Sequence, residues 1–536
     1  MSTTGSLQRK QLALVAFALF GWAGCERVDS VFCPQAGCGW SEQEWKSLTE
    51  LADLPATPPP DRSNKYAGNP AAELLGQKFF FDTRWAGPST QVDVLKRPVA
   101  YARTTKGTPT NLSCASCHDM HRGGVDTESI PGHVSIGAAW ADTNALSVFN
   151  SAFYTMSFWN GRADSLWAQS AAVVEGTNMN GNRLNNLWVT SENYRDQFNA
   201  VFSDWQLPAM GPRAAVEALV EANGKCKLSG TTCPAGCREV KNMDTQATGC
   251  FPRFPLNGKP GAKAGCQPDD MSEPFWDAFD CMDAADQEIT TRTLVNYSKA
   301  IAAYEFKLVS RDSAFDRYVT SMKAGEKRDY SAFSAAAERG ARVFIGRGAC
   351  VDCHRTSLFS DNNFYNIGIE QTGTGVPTEA DCPAGGVCDC QTVGVDSNNN
   401  PKIGNNCLPW GALDGFDKIS RNKFRRDLKW SDDMSDDTRK SIVTMSLDPK
   451  LKGTYRTPTL RDVALTAPYM HNGSLPTLEA VVDHYDRGGS SDVPGARSPR
   501  LKPLMLTTAE KADLVAFLKS LTGAPMPNEL LVAPPK

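Results

Sequence analysis

The chain carries no basic excess: 56 lysines and arginines stand against 60 aspartates and glutamates, so the charge footprint of a nucleic-acid binder is missing. Long low-complexity tracts are absent, and strand-like alternation of apolar and polar residues is scarce. The first absence excludes wholesale disorder and the second points to a mainly α architecture. Past the N-terminus no stretch approaches the roughly 20 apolar residues of a membrane-spanning helix, so any membrane attachment is by an anchor. What the sequence does have is size and apolar content. Its 536 residues, 41% of them hydrophobic, are enough for two or three domains of roughly 150 residues each.

Cysteine, by contrast, is plentiful. Seventeen are too many for an ordinary cytosolic protein and suit an oxidising compartment. The N-terminus agrees: Arg9 and Lys10 precede an apolar run, Leu12–Phe20, that is too short to cross a bilayer and leads to Ala23-Gly24-Cys25. Residues 1–24 are therefore expected to be a signal peptide directing the chain to the periplasm. Cys25 directly after Ala-Gly resembles a lipoprotein processing site, where it would carry a lipid anchor, although Trp22 stands where leucine is usual. The alternative is ordinary cleavage with Cys25 in a disulfide.

Two segments fix the chemistry. Cys114-Ala-Ser-Cys117-His118 and Cys350-Val-Asp-Cys353-His354 both have the form C-x-x-C-H, the attachment sequence of c-type haem. Two thiols three positions apart can each form a thioether to one haem vinyl group, and the adjacent histidine then reaches the iron. A thioredoxin-like redox pair needs no histidine, and a four-thiolate zinc site would leave both histidines unused. Two copies in an exported chain point to two covalently bound haem c groups.

The remaining cysteines fall in even groups. Cys226, Cys233, Cys237, Cys250, Cys266 and Cys281 lie in one loop-rich stretch, Cys382, Cys388, Cys390 and Cys407 in another, and Cys33 and Cys38 follow the signal. They are expected to form disulfides that staple loop insertions, since long loops gain most from cross-links; metal binding by Cys388-Asp-Cys390 is the minor alternative. The organisation expected is a Pro-rich lead (25–65), a first haem domain (66–320) with a Cys-rich insertion at about 224–282, and a second haem domain (331–524) with an insertion at about 375–410. Ile289, Leu294, Ile301 and Tyr304 stand at helical spacing, and Thr507-x-x-Glu510 before Leu514, Phe517, Leu518 and Leu521 specifies a capped amphipathic helix. The fold class expected is mainly α, with two cytochrome c-like haem domains and disulfide-rich insertions.

Around the haem motifs, further segments resemble the bacterial di-haem cytochrome c peroxidase family, which includes MauG-like members. They are Leu75-Gly-Gln-Lys-Phe-Phe-Phe-Asp82, Phe158-Trp-Asn-Gly-Arg-Ala-Asp164, Glu338-Arg-Gly-Ala-Arg-Val-Phe344, Tyr455-Arg-Thr-Pro-Thr-Leu-Arg461 and Ala467-Pro-Tyr-Met-His-Asn-Gly473, in the family's order. The resemblance implies that Trp159 relays electrons between the haems, and that Asn144 with the backbone carbonyls of Thr466 and Pro468 holds one Ca²⁺ between the domains. It also implies that His471 contacts haem or a propionate.

The resemblance carries departures. Where reductively activated members have a distal histidine at the first haem, this chain has Ala138, which cannot ligate iron; His121 and His133 are the nearby alternatives. Where electron-transfer members have a distal methionine at the second haem, this chain has Tyr485, as in MauG-like members, with His484 and Met470 as alternatives. A tyrosinate oxygen favours the oxidised metal where a thioether favours the reduced one. The distal acid about ten positions past Gln169 is replaced by Asn178, the usual distal proline by Val173, and Glu175 is the nearest carboxylate. The expected catalytic set is thus Trp159, Gln169 and Glu175. Hydrogen peroxide is the expected oxidant, and electrons are expected from a small cytochrome c, a cupredoxin or a protein substrate. A non-catalytic electron-transfer or sensor protein is the alternative of another class, and a di-haem dioxygenase a third.

Overall fold

The computed structural model describes residues 39–90, 107–129, 134–221, 225–230, 232–241, 248–260, 278–325, 331–370, 392–395, 401–403, 411–435 and 448–535. The expected signal peptide, Cys25 with its anchor, Cys33, Cys38, His133, Cys266 and the four cysteines of the second insertion lie outside the described residues. Helices dominate, and the sheets among the described residues are two-stranded antiparallel ribbons.

Each haem motif follows a helix that crosses a second helix at a glycine. In the first half α2 (Pro70–Phe81) is started by Asn69, whose side chain accepts from the Ala71 and Ala72 amides, and by Pro70 at its first position. It packs on the long helix α5 (Ala284–Glu305). A Cβ at Gly76 would lie 1.8 Å from the Ala300 carbonyl oxygen, so only glycine permits the crossing. The second half repeats the device. There α7 (Ala335–Ile345) crosses α9 (Thr508–Lys519), and a Cβ at Gly340 would lie 1.9 Å from the Asp513 carbonyl oxygen. The expected Thr507/Glu510 capping box is present at the start of α9.

These crossings organise two hydrophobic cores. One joins Leu75, Phe79, Trp85, Trp167, Trp188, Tyr297 and Ile301, with α3 (Leu166–Glu175) and α4 (Arg183–Asn193) closing over it. The other joins Phe315 and Val319 of α6 (Ala314–Lys323) to Phe344, Phe359, Val482, Leu514 and Phe517, with α8 (Leu478–Arg487) at its side. The segment expected to be a Pro-rich lead contributes a helix of its own, α1 (Glu42–Leu51), which a Ser41/Glu44 capping box starts. Trp40, Leu48 and Leu51 are buried in the second core, which is why this stretch is ordered.

In the first insertion, β1 (Cys237–Lys241) pairs with β2 (Thr248–Pro252), and disulfides join Cys226 to Cys237 and Cys233 to Cys250; Cys281 is disulfide-bonded as well. No helix among the described residues is long and apolar enough to cross a membrane.

Candidate haem sites

The two C-x-x-C-H segments adopt the same local geometry. Cys114–Ser116 and Cys350–Asp352 each form one 3-10 turn, and the amides of His118 and His354 donate to the Cys114 and Cys350 carbonyls at 3.0 and 2.8 Å. Nδ1 of His118 lies 2.9 Å from the Gly124 carbonyl, and Nδ1 of His354 lies 2.9 Å from the Phe359 carbonyl. A carbonyl only accepts, so Nδ1 carries the proton and Nε2 is left bare, the tautomer a metal ligand needs. Burial lowers the basicity of both imidazoles and holds them neutral. None of the four thiols is drawn into a disulfide. Burial raises the Cys114 pKa and pushes Cys350 up to about 12 and Cys353 up to about 11, so they are protonated thiols rather than zinc-type thiolates.

A cavity is lined by Cys350, Cys353 and His354 together with Tyr485, Arg456, Met470 and His471. Tyr485, on α8, is close enough to both thiols that their charge would act on its phenol, and among the described residues nothing hydrogen-bonds its hydroxyl. Its neighbour His484 is committed elsewhere, with Nε2 2.8 Å from the Ile367 carbonyl. Trp159 comes from the first half of the chain yet lines this second-half cavity. Its indole N–H donates to the Asn144 carbonyl at 3.0 Å. His471 stacks on Tyr455 with ring centroids 3.7 Å apart, and its ring meets Trp159 at 6.2 Å; burial pushes its pKa down to about 3, so it is neutral. Asn144 closes the group: its backbone N–H donates to the His471 carbonyl, Nδ2 donates to the Pro468 carbonyl at 3.1 Å, and Oδ1 accepts from the Ser135 hydroxyl. Thr466 lines the same cavity.

Arg456 is the residue sequence reasoning missed. It is 1% exposed, lies over the Tyr154 ring at 3.7 Å, and is paired with no carboxylate among the described residues. A buried guanidinium left with backbone carbonyls and a ring is costly unless an anion joins it. A haem propionate bound in this cavity would supply that anion. The bare Nε2 atoms, the protonated thiols and this unpaired cation all fit haem c.

On the first side, the Ile136 carbonyl lies 3.9 Å from Cys117 Sγ, and two residues further the Ala138 amide donates to the Asn178 carbonyl. Two of the positions where the chain departs from the family pattern are therefore hydrogen-bonded to each other. Ala138 is 2% exposed, and His121 is exposed. Gln169 is half-buried on α3. Glu175, at the end of the same helix, is held in a two-pronged ion pair by Arg183 at 3.0 and 2.7 Å. The carbonyl of Leu146 faces His118, and Leu146 also lines the second-half cavity, so one residue separates the two sites.

Comparison with known proteins agrees with this arrangement. The family model described as di-haem cytochrome c peroxidase matches residues 70–223, and one described as RoxA-like, cytochrome c-like, matches residues 454–489. The cytochrome-c peroxidase IdrP1 of Denitromonas iodatirespirans is 34% identical over 225 residues, which are 42% of this chain and 48% of that protein. The chain thus spans about half the length of the cytochrome-c peroxidases of this kind that it matches. The methylamine utilization protein MauG of Methylorubrum extorquens is 29% identical over 485 residues, 90% of this chain and 87% of that protein. A solved structure of a MauG-like protein associated with microbial copper homeostasis aligns with a TM-score of 0.47 at 23% identity, covering 90% of this chain and 97% of that one. Two matching haem-attachment turns, a tryptophan of one half in the cavity of the other, and relatives along most of the chain point the same way: the chain is similar to the bacterial di-haem cytochrome c peroxidases and MauG proteins, a likeness that implies two haem c groups.

Proposed function

We propose that the protein is a periplasmic di-haem peroxidase of MauG-like ligation, in which hydrogen peroxide reacts at the first haem and electrons are relayed through the second. The observation that carries the reading is Tyr485, an unpartnered phenol in the cavity that holds His354 and receives Trp159 from the other half. When bound, the haems supply peroxide cleavage and a store for the resulting oxidising equivalents. The chain's residues do the rest. His118 and His354 each offer Nε2 to one iron, and Tyr485 offers its oxygen to the second. Ala138 offers nothing, which leaves room for peroxide beside the first. Arg456 neutralises a propionate, and His471 orients Trp159 for one-electron transfer between the sites. Gln169 and Glu175, both on α3, are the polar residues assigned to the first site, and proton shuttling by Glu175 requires its pair with Arg183 to open. Asn144, with its amide turned so that Oδ1 joins the Thr466 and Pro468 carbonyls, presents hard oxygens suited to Ca²⁺. The electron donor is a small cytochrome c, a cupredoxin, or side chains of a partner protein oxidised at the surface.

Rapid-mixing absorption spectroscopy of the diferric protein with hydrogen peroxide and no reductant tests the reading. Haem bands that shift within milliseconds, together with a near-infrared band that Tyr485→Phe abolishes, are expected. A response that appears only after reduction would replace it with an ordinary, reductively activated peroxidase. No response in either state would leave electron transfer or sensing.

A further inference from the structure

The first core contains a chain of oxidisable rings that the proposed reaction does not use. It begins beside the haem attachment. Tyr297 of α5 is fully buried, its hydroxyl has no hydrogen-bond partner among the described residues, and it is near enough to Cys114 for the thiol's charge to act on its phenol. A buried hydroxyl without a partner is destabilising, so packing alone favours phenylalanine there. The Tyr297 ring meets Trp85 with centroids 4.6 Å apart, and Trp85 stacks on Tyr194 at 6.1 Å with an interplanar angle of 27°. Trp85 is 1% exposed and its indole N–H donates to the Phe79 carbonyl. At the far end the ring chain reaches the surface. Tyr194 is half-buried, and its hydroxyl donates to Asp82 at 2.7 Å.

That end has the chemistry of a tyrosine built to be oxidised. Removing an electron from a phenol makes its proton strongly acidic, so the loss is easy only where a base stands ready to take that proton. Arg84, bonded to Asp82, holds the carboxyl below the ordinary carboxylate range against the opposing effect of burial, so the acceptor is ionised. Tyr297 has no such acceptor and serves as a bridging ring, whereas Trp85 can be oxidised without giving up its N–H.

The geometry points to a second outlet for oxidising equivalents, from the first haem through Tyr297 and Trp85 to Tyr194, separate from the Trp159 route to the second haem. This inference rests on the peroxide reaction proposed above. Per equivalent, Trp85 gives one electron toward the first haem and Tyr194 refills Trp85. The phenolic proton then passes to Asp82, leaving a neutral tyrosyl radical and a protonated carboxyl. Two electrons and two protons taken up from solvent convert one peroxide to two waters, so an equivalent leaving this way is one that haem 2 does not receive. A one-electron donor meeting Tyr194 at the surface restores it.

The test is spin trapping on the diferric holoprotein. Hydrogen peroxide and a nitroso spin trap are added without electron donor, the haem bands are followed in the same sample, and the adduct is mapped by peptide mass spectrometry. An adduct on Tyr194 in the unaltered protein, lost in Tyr194→Phe and in Trp85→Phe while the haem bands still respond, is expected. Haem bands that respond with no adduct on Tyr194, or an adduct undiminished in Trp85→Phe, overturn the outlet and leave the peroxidase reading intact. Haem bands that do not respond overturn both.

Discussion

Around His118 and around His354 the backbone repeats itself. A helix crosses its partner at a glycine that tolerates no Cβ, a 3-10 turn presents two thiols, and a carbonyl 2.9 Å from Nδ1 fixes the imidazole. On the other side the halves part. Beside Cys117 lies a segment, Ile136 to Ala138, that is hydrogen-bonded to Asn178 and offers no side-chain ligand; beside Cys353 stands Tyr485, with Arg456 in the same cavity. The shared part is set by backbone hydrogen bonds and close helix packing, which side-chain changes elsewhere leave alone. The differing part is a few side chains. On the ligation proposed above, a repeated scaffold gives one open and one closed haem through single residues, and single residues are where the difference should break.

The largest expected effect comes from making the halves alike. Ala138→His places an imidazole in the segment beside Cys117, and the millisecond response of the diferric protein to peroxide is expected to disappear and to return after one-electron reduction. Rapid-mixing spectroscopy checks it; an unchanged response would show that the Ala138 side chain does not face the first iron. A smaller effect tests what the halves share. Gly76→Ala and Gly340→Ala each add a Cβ within 2 Å of a backbone oxygen, an obstacle that cannot rotate away. Overpacking of this kind costs about 1–3 kcal/mol or more, which exceeds the roughly 1 kcal/mol that alanine gains over glycine in a helix. Both variants should lower the thermal unfolding midpoint, Gly76→Ala loosening the first haem and Gly340→Ala the second, as read from each haem's spectrum.

What was legible beforehand follows the same division. The C-x-x-C-H turns, the Thr507/Glu510 cap and the clustered cysteines of the first insertion are local patterns, and local patterns survive in a sequence. Helix α1 was equally local, since Ser41-x-x-Glu44 announces it, but the prolines downstream drew attention away from it. Tyr485 was reached only through resemblance, because nothing within α8 distinguishes it from its neighbour His484; what does is that one faces the thiols and the other the Ile367 carbonyl. Arg456, Glu305 and the Tyr297–Trp85–Tyr194 contacts join residues from distant parts of the chain, and no window along the sequence holds them.

The smallest effect separates the halves by pH. Glu305, at the end of α5 near Cys114, is 5% exposed, and burial pushes its pKa from 4.5 up to about 8. In the second half Asp316 is also buried, but Arg461 grips it at 2.7 and 3.0 Å and, despite burial, holds its carboxyl below the ordinary carboxylate range. The signs are opposite. Between pH 4.5 and about 8 the folded first half keeps a proton that the unfolded chain has released, so its stability falls as pH rises through that window and levels off above it. For Asp316 the folded state releases the proton first, so its contribution is present above the unfolded pKa and is lost as pH falls through the folded one. Glu305→Gln keeps the shape and removes the charge. It should match the unaltered protein near pH 4 and become progressively more stable than it toward pH 8, in thermal unfolding followed at the first haem. Arg461→Met should instead cost stability at neutral pH, where it leaves a buried carboxylate unpaired, and cost less as acid protonates Asp316. Curves that move together at both haems would mean that the two cores unfold as one unit, and the halves would then differ in chemistry alone.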